Sequence, residues 1–207
     1  MTLWQDALMC DSQFKHEHDD AQLAQEIGNF SCVSSDCEFD EHTKGYDLDK
    51  AIFGLSEDRG YDSLSKLLSF SIKRFKQEGV TMEVTLGHHL CRPSPIGWIL
   101  NGGTSLALAE VAAGLASFAL CPKGSHPVGS AVSANHTSMA KLGEKLTVTA
   151  TALHVGKTTH VVNVDITALD GRLISTARVT NTIISPTGTE GSAHLQKIAA
   201  AQAKAGS

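Results

Sequence analysis

Glu110 is the only charged residue in the apolar run GGTSLALAEVAAGLASFAL, from Gly102 to Leu120. An ionised carboxylate inside a buried helix costs several kcal/mol when unpaired, so its presence there points to a chemical or pairing task. That makes Glu110 the first catalytic candidate; the competing reading is a buried carboxylate satisfied by a neighbouring backbone or a dimer partner. Five histidines, His88, His89, His136, His154 and His160, invite a metal or catalytic role. Their alternation within strand-like segments predicts surface or core-edge positions. Cys32 and Cys37 lie near His16, His18 and His42, but this spacing fits no standard zinc pattern.

The elements that position these groups are legible from periodicity. DSLSKLL reads as a helix with Asp62 or Ser63 as N-cap, leading into a strand through Phe70, Ile72 and Phe75. After a QEG turn, VTMEVTLGHH alternates as a second, antiparallel strand. LCRPSPIGWILNGG, with its prolines and glycines, reads as a loop feeding the apolar helix, which runs from about Gly103 to Leu120 and stops at Cys121, Pro122, Lys123 and Gly124. Three or four β-branched, alternating strands follow, separated by Gly-Lys and Asp-Gly turns. The expected class is α+β, an antiparallel sheet wrapped around a central apolar helix.

Charge divides the chain unevenly. Residues 1–60 carry 14 acidic and 4 basic side chains, whereas 61–207 carry 8 acidic and 13 basic. The expected organisation is an acidic extension over 1–60 with one or two short helices, a domain over 61–186, and a small-residue tail over 187–207. The domain's basic residues are scattered and aromatics are few, which argues against nucleic acid and suits a small anionic ligand. No basic-plus-apolar leader opens the sequence and Glu110 interrupts its longest apolar run, so neither secretion nor a membrane role is expected, and a cytoplasmic location is. An odd set of five cysteines without framework spacing predicts reduced thiols.

PIGWILNGGTSLALAE resembles the signature of hotdog-fold acyl-CoA thioesterases, P-x-G-x-x-H-G-G followed by an acidic residue seven positions on. SANH, LHVGKTTHVVNVDI and DGRLISTARVTNTII resemble the same family's last strands, especially the branch acting on aromatic acyl-CoA and 1,4-dihydroxy-2-naphthoyl-CoA. The resemblance covers about residues 65–185. It implies hydrolysis of an acyl-CoA to the free acid and CoA, with Glu110 as general base on water or as nucleophile. Backbone N–H of Gly103 or Gly102, at the helix N-terminus, is then the oxyanion donor. Seven residues separate Gly103 from Glu110, two helical turns, which sets both on one face and aims them at one carbonyl.

The VGKTTH turn resembles the family's coenzyme A loop, with Lys157 supplying charge and Thr158 and Thr159 hydroxyls; a solvent turn is the plainer reading. Arg178 reads as a solvated strand residue. Three departures bear on rate and substrate. Asn101 stands where the family branch usually has His, and an amide donates a hydrogen bond without transferring a proton. Gly114 stands where relatives often carry Ser or Thr, and the loop before Asn101 is one residue longer than usual.

The resemblance further implies a homodimer or homotetramer with sheets made continuous between subunits, no metal, and no cofactor beyond the CoA of the substrate. Two rival readings remain open: a non-hydrolytic acyl-CoA-binding hotdog protein, and a hydratase or dehydratase, against which Asn101 speaks.

Overall fold

The computed structural model describes residues 32–48, 52 and 64–184. Its strands are β1 (Val33–Phe39), β2 (Phe70–Lys76), β3 (Gly79–Thr85), β4 (Cys91–Ser94), β5 (Gly97–Leu100), β6 (His126–His136), β7 (Lys145–Val155), β8 (Thr159–Ala168) and β9 (Leu173–Ile184). A short helix α1 (Leu64–Leu67) precedes β2, and the long helix α2 (Gly102–Leu120) follows β5. Seven strands form one sheet in the order β1-β2-β3-β7-β8-β9-β6, antiparallel except for the β1–β2 pair.

Period-two alternation builds the sheet's inner face. In β8 every second residue is buried, and Val162, Val164 and Ile166 join Phe70, Ile72, Met82, Leu146 and Val148 in the core. Burying side chains of this size contributes about 1.5–3 kcal/mol each. The helix answers with a matching stripe: Ser105, Leu108, Ala109, Ala112, Ala113, Ala116 and Ala119 are buried at helical spacing. Small side chains on this stripe let α2 lie close to the strands. By length and composition α2 would suffice to cross a membrane; here half of it is buried against the sheet.

One expectation needs correction. The loop expected before α2 is largely a hairpin, with Pro93 paired to Trp98 and Ser94 to Gly97. Ser94 Oγ accepts the Ile96 N–H and donates to the Gly97 carbonyl, so the turn satisfies itself locally. The acidic extension also contributes an element the sequence analysis does not name: Val33–Phe39 is a strand added to the sheet edge beside β2, and the turn after it is anchored by Thr43, whose hydroxyl donates to the Phe75 carbonyl at 2.7 Å. Tyr46 of this segment meets Phe75 and Phe118 ring to ring. Asp62 and Ser63, His16, His18 and Cys10, and the tail over 187–207 lie outside the described residues. Among the described residues Cys37, Cys91 and Cys121 are free thiols, and burial raises the pKa of all three.

Candidate active site

Helix α2 begins at a pinned point. The Leu90 carbonyl accepts both the Asn101 N–H, at 3.0 Å, and the Thr104 hydroxyl, at 3.1 Å. Asn101 is the N-cap: its Oδ1 accepts the Gly103 N–H at 2.9 Å, and its carbonyl accepts the Ser105 N–H. The Gly103 amide, one of the two expected oxyanion donors, is therefore already engaged. Gly102, one position earlier, has no intrahelical acceptor for its N–H, as holds for the opening residues of any helix.

Glu110 is exposed, not buried, which overturns the premise on which it was singled out. Among the described residues its carboxylate has no hydrogen-bond or ion-pair partner. It lies against β6, where a Cβ built on Gly129 would come within 2.6 Å of Glu110 Oε1. The exposed stripe of α2 runs through Gly103, Ala107, Glu110 and Gly114, all exposed or half-buried, so the expectation of a shared face holds. The shared carbonyl does not follow. Seven residues of helix span ~10.5 Å, and the Glu110 carboxylate turns toward Gly129 rather than toward Gly103.

The other end of β6 holds a histidine to which the sequence analysis assigns only a surface or core-edge position. His136 stands on the side of Gly102 where any other amino acid would carry its side chain; a Cβ there would meet His136 Nε2 at 2.9 Å. His136 Nδ1 lies 3.1 Å from Ser175 Oγ, and the two residues are direct partners across β6 and β9. Gly129 was a readable signal, since a glycine within a strand marks a close approach. Nothing in the local pattern of SANH distinguishes His136; only the strand register does.

The remaining candidates fall at the Glu110 end. Gly129, Asn181, His160 and Val155 form one row across the sheet, which puts the Lys157 turn at this end, opposite to Asn101, Gly102 and Gly103. Lys157 and Thr158 are exposed, and the turn is closed by the Gly156 N–H donating to the Thr159 carbonyl. Gly114 is half-buried, with open space where a Cβ would stand. Arg178 is exposed, as expected of a solvated strand residue. His160, expected at the surface or core edge, is buried beneath the sheet; its Nδ1 has no partner among the described residues, and burial lowers its pKa. A cleft of about 290 Å³ lined by Tyr46, Phe118, Cys121 and Lys123 lies at the far end of α2 and touches none of the candidate catalytic residues.

Two groupings thus stand at opposite ends of β6: a helix N-terminus with an imidazole over it, and a carboxylate at the end that also holds a basic turn. Comparison with known proteins agrees with chemistry at a carbonyl. Residues 98–175 match the family model described as Thioesterase superfamily. PA1618 of Pseudomonas aeruginosa is 32% identical over 132 residues, 63% of this chain and 88% of the relative. The crystal structure of a mutant of thioesterase PA1618 superposes with a TM-score of 0.54 at 30% identity, covering 59% of this chain and 86% of that one. A 1,4-dihydroxy-2-naphthoyl-CoA hydrolase of Listeria monocytogenes is 35% identical over 101 residues, 49% of this chain and 77% of the relative. A hypothetical thioesterase protein with coenzyme A from Streptococcus pneumoniae, at 25% identity and TM-score 0.53, covers 61% of this chain and 94% of its own. The chain belongs to the thioesterase superfamily and is a hotdog-fold thioester hydrolase.

Proposed function

We propose that the chain hydrolyses an acyl-CoA, with an aromatic acyl group as the first class to test, at a site shared between two copies. The observation that carries this reading is the placement of the two half-sites at opposite ends of β6. This eleven-residue edge strand has no buried residue, and Val128 and Val132 are exposed on it. A long exposed edge is a template for pairing with another strand. Antiparallel pairing about a two-fold axis between Val132 and Ser133 sets Gly129 of each copy opposite His136 of the other. Glu110 of the partner subunit then faces Asn101 and Gly102, and the partner's Lys157 turn comes to the same end. The half-exposed apolar side chains of α2, Leu106 and Val111, gain a covering surface in such a pair.

In this arrangement the Glu110 carboxylate takes a proton from water as the water oxygen attacks the thioester carbonyl carbon. The Gly102 N–H holds the developing oxyanion. Collapse of the tetrahedral species breaks the C–S bond, CoA leaves as thiolate, and the free acid remains. Direct attack by the carboxylate to give a mixed anhydride, later hydrolysed, uses the same geometry. Lys157, Thr158 and Thr159 are suited to the phosphates of CoA. The likeness to the Listeria hydrolase supports an aromatic acyl group.

A non-hydrolytic acyl-CoA-binding role is favoured by one observation, the capture of the Gly103 N–H by Asn101 Oδ1, which removes a donor from the oxyanion end.

Mixed assemblies test the shared site. Glu110→Ala lacks the carboxylate and Gly102→Val blocks the other half-site, so each variant alone should release no thiol from an acyl-CoA. Co-assembled in equal amounts, they should recover about a quarter of wild-type activity, because half the dimers are mixed and each mixed dimer has one intact site. No recovery, with mixed dimers demonstrated by mass, would place the whole site within one chain and sink the proposal.

A further inference from the structure

We propose that His136 is a catalytic residue of this chain: its Nε2–H donates to the thioester carbonyl oxygen beside the Gly102 N–H, with Ser175 fixing the tautomer. The inference rests on the thioesterase reading and names a residue that reading leaves out. Asn101 supplies no imidazole, and its Oδ1 holds the Gly103 N–H, so of the two glycine amides at the helix start only that of Gly102 is left to the oxyanion. The imidazole edge nearest Gly102 is Nε2, at 2.9 Å from the position a Cβ would take. It stands there because Gly102 has no side chain.

In the proposed tautomer Ser175 Oγ–H donates to Nδ1 and leaves this edge a donor. It is buried to 1% exposure and directly opposite His136 across β6 and β9, with Oγ 3.1 Å from Nδ1. A serine hydroxyl that donates to Nδ1 leaves the proton of a neutral imidazole on Nε2, facing the helix start. Ser175 is thus a positioning residue. No proton is transferred by His136: it holds the oxyanion as the carbon–oxygen bond gains charge and releases it when the C–S bond breaks. The thiolate departs as before.

The test compares wild type, His136→Ala, His136→Gln and Ser175→Ala by thiol release from acyl-CoAs, and by titration with S-acetonyl-CoA, a thioether ketone that offers a carbonyl without a scissile C–S bond. Expected are a fall of about 100-fold in kcat for His136→Ala with KM changed little, a smaller fall for His136→Gln, whose amide still donates, and about tenfold for Ser175→Ala. The isotope-labelled imidazole of wild type should show the Nε2–H form, and Ser175→Ala should mix the two tautomers. If wild type is active and His136→Ala retains full kcat, or the ring carries its proton on Nδ1, the inference is overturned while the thioesterase reading stands. If wild type hydrolyses nothing, weaker binding of S-acetonyl-CoA by His136→Ala would uphold the donor and reject hydrolysis. Equal binding, or no binding by either, would reject the inference with it.

Discussion

The Glu110 carboxylate occupies the space over Gly129 that a side chain there would need, with Oε1 2.6 Å from the position of a Cβ. The blocking atom is the far end of a flexible exposed side chain, so Gly129→Ala should fold with little loss of stability and displace the carboxylate. A drop of ten-fold or more in kcat at unchanged Tm is expected. A drop in Tm with unaltered kcat would mean that Gly129 serves only the bulge of β6, where pairing with β9 shifts register.

Asn101→His exchanges an N-cap for an imidazole. Loss of the cap should cost about 1 kcal/mol of stability, read by denaturant unfolding. The same change frees the Gly103 N–H and adds a donor, and kcat should rise by roughly tenfold if the oxyanion end limits turnover. A variant that keeps its stability would show that the Asn101 cap contributes little.

Gly114 has open space beside it and lies one turn after Glu110 on the exposed stripe of α2. Gly114→Ser should therefore fit without displacement and stabilise the helix by about 0.5 kcal/mol through propensity alone. The added hydroxyl should change KM or kcat for acyl-CoA, measured by thiol release. Identical kinetics would remove this position from the substrate's surroundings.

Asp40 ties the turn after β1 to the β2–β3 turn. Its carboxylate accepts N–H groups from Gln77, His42 and Thr43, which hold its pKa at about 2 against an ordinary 3.8. A depressed pKa stabilises the fold fully above the unfolded value of 3.8, and the contribution disappears as pH falls through about 2. The Tm of wild type should fall over that window more than the Tm of Asp40→Asn. Parallel curves would deny the link between β1 and the hairpin.

The alternating strands were legible because each has a sustained period, and β8 buries every second residue without exception; the long helix was legible from a 19-residue apolar run bounded by Gly102 and Pro122. The face of α2 was not. Its buried stripe is mostly alanine and its exposed stripe is also apolar, so periodicity carried no sign of which side met solvent, and Glu110 was read as buried. Gly102, Gly103 and Asn101 could be placed at the helix start from their order alone. His136 could not, since its meaning depends on Ser175, 39 residues later in sequence and opposite it in the sheet. Strand β1 escaped notice among acidic residues because its burial alternates only weakly.

The central claim, thioester hydrolysis that depends on Glu110, is tested most directly by thiol release from aromatic, short, medium and long acyl-CoAs with wild type beside Glu110→Ala. Release from at least one ester by wild type, with that activity reduced by about 1,000-fold or more in the variant, is the predicted result. Equal release by both proteins would contradict the account.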